Sequence, residues 1–216
     1  MDKRIIRVKG VGKASMTPDQ IKININLKSS NASYEKTIEM ANKDLENIRR
    51  ALKSEGFEKE DIKTVNFNVD TKYENETTSF NNYKRKFIGY EVIHSLKIEF
   101  ENDSQKLGRV LNELTKSKSN PEFSIFYNLK DETEFKNQML KNAIEDSRRK
   151  AIVIAEASGV RLGEILNINY SLDEEKFYST PLSLQKGMSF ISENISIVPE
   201  DLKSTDTVDI AWEIEK

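Results

Sequence analysis

The chain has 216 residues, with one histidine, His94, and no cysteine. Because histidine and cysteine carry much of the acid–base, nucleophilic and metal chemistry of proteins near neutral pH, this composition excludes cysteine catalysis and cysteine-ligated zinc. Its 34 basic and 36 acidic side chains give a net charge of −2, which argues against nucleic-acid binding, because domains with that function are usually strongly basic.

The first half of the chain predicts four strands and two helices. The strands are expected at 4–9, 20–28, 62–73 and 86–100, and the helices at 33–55 and 104–117. Isoleucine and leucine alternate with polar residues from Ile21 to Leu27, so one face of that strand is expected to be buried. The polar stretch 74–85 joins the two longer strands, which predicts a long hairpin that projects beyond the body of the domain.

The second half predicts three strands and the longest helix. The strands are expected at 122–129, 164–171 and 207–215, and the helix at 132–158. The inner face of that helix is expected to contain several small residues, and its members are Leu140, Ala143, Ile144, Ser147, Ala151, Ile154 and Ala155. Small side chains would allow the helix to lie close to the sheet. The polar segment 172–206 predicts a long loop with a short extra element near 189–197.

These elements together predict an α+β fold. Strands and helices are mixed along the chain, and the strands alternate in polarity rather than being apolar throughout. That pattern favours a mainly antiparallel sheet with about three helices packed on one face and a long central hairpin. We expect a single domain over residues 1–216, with 172–206 as a long loop or insertion.

The sequence also carries information about location. Its longest apolar run, Ala151 to Ala155, is five residues, whereas a membrane-spanning helix needs about 20. The first residues, MDKRIIRVKG, contain no apolar stretch typical of a signal peptide. We therefore expect a cytoplasmic protein, or an exported or envelope protein if a leader has been removed.

Two features near predicted strands have both a chemical and a structural interpretation. Gly10 and Gly12 follow a strand, but the dinucleotide-binding fingerprint needs a further glycine where Ser15 stands. Bare backbone on one strand face is typical of a bulge or of a helix packed closely over it. His94 shares its strand face with Val92 and Leu96, which favours a buried, hydrogen-bonded core residue over a metal ligand.

Aromatic and basic residues alternate in the hairpin. They are Tyr83, Lys84, Arg85, Lys86 and Phe87. Such a patch can hold a nucleic-acid strand by stacking and phosphate contacts. We favour a solvated hairpin whose basic side chains discourage edge-to-edge pairing.

Four segments occur in an order that resembles a known family. They are VKGVGKASMTPDQIKI at 8–23, ANKDLENIRRALKSEGFEKEDIKT at 41–64, IGYEVIHSLKIEF at 88–100 and AIEDSRRKAIVIAEASGVRLGEILNI at 143–168. This succession resembles the SIMPL domain family, bacterial α+β proteins with relatives in animals. The resemblance implies no agreed enzymatic activity. It also implies that members are often exported or envelope-associated, that some are linked to stress responses, and that some form large oligomers.

The function expected from these observations is non-enzymatic and depends on self-association or on an unidentified protein partner. Contacts between copies are expected from the hairpin, through Tyr73, Tyr83, Lys84, Arg85, Lys86 and Phe87. The alternative is a hydrolase or lyase that uses carboxylates or hydroxyls in a cleft under segment 172–206. No cofactor and no metal are predicted. Buried carboxylates beside a hydroxyl would favour the enzyme, and exposed strand edges would favour assembly.

Overall fold

The computed structural model describes residues 4–77, 83–171, 179, 182–183 and 198–215. The strands in these ranges are β1 (Ile5–Met16), β2 (Gln20–Asn31), β3 (Lys63–Thr77), β4 (Tyr83–Glu101), β5 (Glu122–Asn128), β6 (Arg161–Asn169), β7 (Leu182–Ser183) and β8 (Leu202–Glu215). The α-helices are α1 (Tyr34–Lys53), α2 (Ser104–Lys116) and α3 (Thr133–Ala157), and a 3₁₀ turn, Lys59–Asp61, precedes β3. None of these helices combines the length and apolar character needed to cross a membrane.

The predicted α+β class with mainly antiparallel pairing is confirmed, and the strands are divided between two sheets. Sheet 1 has the order β1-β8-β6, and sheet 2 has the order β3-β4-β2-β5-β7. The chain forms two compact units. Unit 1 contains sheet 1 and α3, and unit 2 contains sheet 2, α1 and α2.

The C-terminal boundary predicted for the loop at 172–206 is wrong. Residues 202–206 belong to β8, where Leu202 pairs with Met16 and Asp206 pairs with Gly12. Their polar composition hid the strand, because only the face of β8 toward unit 1's core needs apolar side chains. Residues 182–183 form β7. The remainder of the predicted loop up to residue 197, including the short element expected near 189–197, lies outside the described residues apart from Ser179.

The core of unit 2 follows the predicted alternation of β2. Ile21, Ile23, Ile25 and Leu27 are all buried on one face of the strand. Residues from α1 and α2 pack into the same cluster, namely Ile48, Leu52, Leu107, Val110, Leu111 and Leu114. The opposite face of β2 is polar, so sheet 2 buries one face against its two helices.

In unit 1, α3 lies directly on the backbone of β1. A Cβ atom added to Gly10 would collide with the carbonyl oxygen of Ala143 and lie 2.7 Å from Cβ of Ser147. A Cβ added to Gly12 would collide with the carbonyl oxygen of Met139. The interpretation of the two glycines as a site of close helix packing is therefore confirmed.

The buried stripe of α3 differs in part from the predicted one. Its members recur at every fourth position and are Phe135, Met139, Ala143, Ser147, Ala151 and Ala155. Ile144 and Ile154 were predicted to face inward and are exposed. Ile144 and Ile154 each lie one position from a buried alanine, so the four-residue spacing of the stripe leaves them toward solvent. Apolarity alone was a misleading criterion for this face.

Polar side chains of α3 fix the same contact by bonding to the β1 backbone. The buried hydroxyl of Ser147 donates to the carbonyl of Val8 at 3.0 Å. The amide of Asn142 donates to the carbonyl of Lys13 at 2.7 Å. The N–H of Val11 donates to Asp146 at 2.9 Å. These hydrogen bonds therefore fix the position of the helix along the strand, in addition to the close packing between them.

We expect Ala151→Leu to lower the melting temperature. Ala151 is fully buried in the cluster that contains Val8 and Val208, and overpacking of a filled core typically costs about 1–3 kcal/mol. Ala157→Leu is the matched control, because it makes the same change at an exposed position of the same helix. Thermal unfolding that gives equal midpoints for both variants would contradict this assignment of the helix face.

Candidate association surface

The predicted hairpin is present and extends past the sheet that supports it. In the β2–β4 ladder the last pair is Asn31 with Tyr90. The β3–β4 ladder continues further, to Thr77 with Tyr83. Among the described strands, residues 83–89 therefore pair with β3 alone. We call this two-stranded ribbon, formed by 72–77 and 83–89, the arm.

A glycine marks the point where the arm leaves sheet 2. Gly89 has φ of 138°, a conformation that side chains with Cβ rarely adopt. A Cβ there would collide with the carbonyl oxygen of Asn31 and lie 2.7 Å from Cα of Ala32. The register shifts here, since Lys72 pairs with Gly89 and Tyr73 pairs with Phe87. The skipped residue, Ile88, forms a bulge, and bulges bend a ribbon and increase its twist.

Four aromatic rings form a ladder along the base of the arm. Tyr34 of α1 contacts Tyr90 edge-on at 5.4 Å between ring centroids, and Tyr90 contacts Phe87 at 5.4 Å. Phe87 contacts Tyr73 at 5.7 Å. The guanidinium of Arg85 lies 4.8 Å from the centre of the Tyr73 ring. Three predicted contact residues, Tyr73, Arg85 and Phe87, are thus brought together on one face.

This aromatic ladder is largely open to solvent. The exposed fractions are 51% for Tyr34, 44% for Tyr73 and 46% for Phe87. Edge-to-face geometry stabilises such contacts modestly, but about half of each of these rings lies against water. The sequence had indicated Phe87 through the aromatic and basic residues at 83–87, and Tyr73 as a contact residue of the predicted hairpin. Tyr34 was missed, because its proximity depends on how α1 begins after β2.

The remaining predicted contact residues occupy other parts of the arm. Lys86 pairs with Glu74 in the ladder. Tyr83 and Lys84 belong to the arm through backbone pairing with Thr77 and Glu76, while their side chains lie outside the described part of the structure. Residues 78–82, which connect the two strands, are also outside it.

The outer strand of this surface is β3, which forms one edge of sheet 2. Its side chains are exposed on both faces for most of its length. Val65 is 61% exposed and Phe67 is 45% exposed. Val65 is the extra residue of a bulge between Thr64 and Asn66, beyond which β3 pairs without a bulge of its own through 66–77.

His94 lies in the core beneath this edge, as predicted. It is 5% exposed, its Nε2 lies 3.0 Å from the hydroxyl oxygen of Thr64, and its ring meets Phe67 edge-on at 5.0 Å. Its Nδ1 is buried without a hydrogen-bond partner. Burial lowers the pKa of His94, and the positive charge of Arg49 lowers it further.

Among the described carboxylates, Asp146 of unit 1 has the most strongly lowered pKa. Hydrogen bonds from the Lys150 ammonium and the Val11 N–H lower the pKa of Asp146 to about 2, with a further contribution from Arg149. These contacts tie α3 to β1, so we interpret Asp146 as a structural anchor. In the described ranges, no carboxylate is among the buried side chains, and no three acidic or histidine side chains converge as metal ligands.

Comparison with known proteins gives one family and two distant relatives. The sequence model of the SIMPL family, described as "Protein of unknown function (DUF541)", matches residues 6–212. The chain is 23% identical over 164 residues to proteins named "26 kDa periplasmic immunogenic protein" from Brucella melitensis biotype 1 and Brucella abortus strain S19. Each alignment covers 76% of this chain and spans 65% of the relative's length.

We expect the stability of the protein to fall as the pH drops below about 6.5, the ordinary pKa of histidine. Above that pH, His94 is neutral in both states. Below it, the unfolded chain binds a proton more readily than the folded protein, in which the pKa of His94 is lowered. Protonation therefore stabilises the unfolded state, and the free energy of unfolding decreases. Since His94 is the sole histidine, its ring-proton resonances in an NMR titration measure the folded pKa directly.

His94→Gln separates this effect from the titration of carboxylates. At neutral pH we expect the variant to lose about 1–3 kcal/mol of unfolding free energy, because an amide cannot reproduce the buried ring and its bond to Thr64. The gap between parent and variant should narrow on acidification in urea unfolding. A constant gap, or a folded pKa above the ordinary value, would contradict the assignment.

Proposed function

The chain belongs to the SIMPL family, and from this premise we propose that it is a non-enzymatic domain that acts by self-association through the arm and the edge of β3. The observation that carries the proposal is the pairing of residues 83–89 with β3 alone among the described strands. An isolated two-stranded ribbon is marginally stable in water. A ribbon of this kind gains stability when another surface covers it.

The exposed aromatic ladder supports the same proposal. Tyr73 and Phe87 each leave about half of a large ring open to water. Aromatic side chains are enriched at protein interfaces because they bury much area with little loss of conformational freedom. Covering these rings with a second protein surface removes apolar area from water, which is the main favourable contribution to association.

The distribution of basic residues supports β3 as the pairing edge. Natural sheets protect their edges with lysines and other charged side chains. In the arm, Arg85 and Lys86 are on β4, whereas β3 carries one lysine there, Lys72, which forms an ion pair with Glu91. The segment 66–77 of β3 is exposed and free of a bulge of its own, so its outward backbone groups offer a template for another strand.

We also propose an exported or envelope location for the protein. The two relatives are named as periplasmic proteins, and this supports the exported alternative over the cytoplasmic one. A stress-related role stays a prediction. The hydrolase or lyase alternative concerns a cleft under segment 172–206, most of which lies outside the described residues. At its described end, Asp201 accepts hydrogen bonds from Ser15 and Thr17, and Asp206 accepts one from Tyr170, but neither carboxylate is buried.

We expect light scattering to give a mass well above that of a monomer at micromolar concentration. Deleting residues 76–84 and closing the hairpin with Asn-Gly should shift the mass toward the monomer, since it removes the outer part of the arm. Circular dichroism should show that the fold survives, because the core of unit 2 lies around β2 and the helices.

Val153→Ser is the control for this experiment. It removes an exposed apolar side chain from α3 in unit 1 and should leave the mass unchanged. A parent protein that scatters as a monomer would contradict self-association. An oligomer that keeps its mass after the deletion would exclude the outer arm as a source of contacts.

A further inference from the structure

The outer face of the β3–β4 ribbon contains an unbalanced pair of carboxylates. Asp70 pairs directly with Glu91 in the ladder, and like charges in that position destabilise a sheet. Lys72 forms an ion pair with Glu91 at 2.7 Å. Asp70 accepts a hydrogen bond from the Asn68 amide at 2.6 Å. Two acidic side chains therefore depend on one nearby lysine from β3.

The other lysine whose charge reaches Glu91 is already engaged. Lys28 of β2 bonds to Glu122 of β5 at 2.8 Å. It lies across the sheet from β3, since β4 separates β2 from β3. Beyond the edge at Asp70 the described part of the chain places no strand, so a strand of another molecule can lie there.

We infer that a second copy of this chain covers that edge, through antiparallel pairing of β3 with β3 of the other copy about a two-fold axis at Thr71. In this arrangement each Lys72 lies between Glu91 of its own chain and Asp70 of the other. This inference rests on the proposed self-association and specifies its geometry. Residues that face each other across antiparallel strands share a face of the sheet. With the axis at Thr71, Asp70 of each copy faces Lys72 of the other, and Val69 faces Tyr73.

The charge sequence of β3 favours this register over its neighbours. An axis at Asp70 brings two aspartates together, and an axis at Lys72 brings two lysines together. An axis at Tyr73 places Lys72 opposite Glu74 but Asp70 opposite Glu76, so attraction and repulsion cancel. Among these registers, the axis at Thr71 adds two attractive pairs and no repulsive pair.

The neighbouring side chains are compatible with the same arrangement. On the outer face, Asn68 then meets Glu74 of the other copy, which pairs an amide donor with a carboxylate. On the face that carries α1, Val69 and Phe67 meet Tyr73 and Asn75. The bulge at Val65 lies outside the central part of this pairing. A two-fold axis makes the interface self-complementary, which is the commonest symmetry of protein dimers.

The test is a charge exchange across the two-fold axis. Asp70→Lys places two lysines opposite each other in a dimer, and Lys72→Asp places two aspartates opposite each other. We expect each variant alone to associate about tenfold more weakly than the parent in low salt, measured by sedimentation equilibrium. Mixing the two variants should restore association, because each copy then faces the opposite charge on the other.

The double variant D70K/K72D should also recover self-association, and it keeps the number of charges beside Glu91 unchanged. Glu164→Lys is the matched control. It reverses an exposed charge on β6, an edge strand of sheet 1, and should leave the dissociation constant unaltered. Thermal unfolding of each variant shows whether the fold is intact.

The outcomes distinguish this geometry from the broader proposal. A monomeric parent overturns both. An oligomeric parent whose association responds to deletion of 76–84 but not to the charge exchange keeps self-association and overturns the β3 pairing. If E164K weakens association and the changes at Asp70 and Lys72 do not, the interface lies in unit 1, and this result also overturns the β3 pairing.

Discussion

The surface described above depends on the difference in length between β4 and the strand beside it. β2 ends at Asn31, because the chain turns there into α1, whereas β4 pairs with β3 beyond Tyr90. At that point the backbone of Asn31 and Ala32 lies so close to β4 that only glycine fits at position 89. A third strand therefore cannot continue along the arm from β2. The two-stranded form of the arm follows from this difference in length, whereas the open edge of β3 lies on the other side of β4.

The local elements of this fold were predictable, and their partners were less so. Alternation in 20–28 gave the buried face of β2, and the spacing of Gly10 and Gly12 gave the close helix contact, because both signals are local. The division of strands between two sheets was not visible, since pairing β1 with β8 depends on residues up to 208 positions apart (Ile5 with Glu213). Apolarity misplaced Ile144 and Ile154, because the inner face of α3 is set by the helix's contact with β1 and recurs at every fourth residue.

Only part of the candidate surface was predictable, because only part of it is encoded in a local pattern. Interleaved aromatic and basic residues indicated Arg85 and Phe87 within one segment. The meeting of Asp70 with Glu91 depends on the bulge at Ile88, which shifts the register of the hairpin by one residue. No sequence pattern reveals where a strand accommodates an extra residue. The pairing of these two carboxylates beside the open edge of β3 could therefore not be derived before the register was known.

The topology of sheet 1 has a consequence for synthesis of the chain. The central strand of that sheet is β8, which pairs with β1 on one side and β6 on the other. A ribosome makes β1 first of the described elements and β8 last, while sheet 2's four longer strands and both of its helices come from the continuous stretch 20–128. Hydrophobic burial around β2 can thus proceed early, whereas β1 has no strand to pair with until β8 is made. The nascent chain must keep this strand from mispairing until translation reaches residue 202.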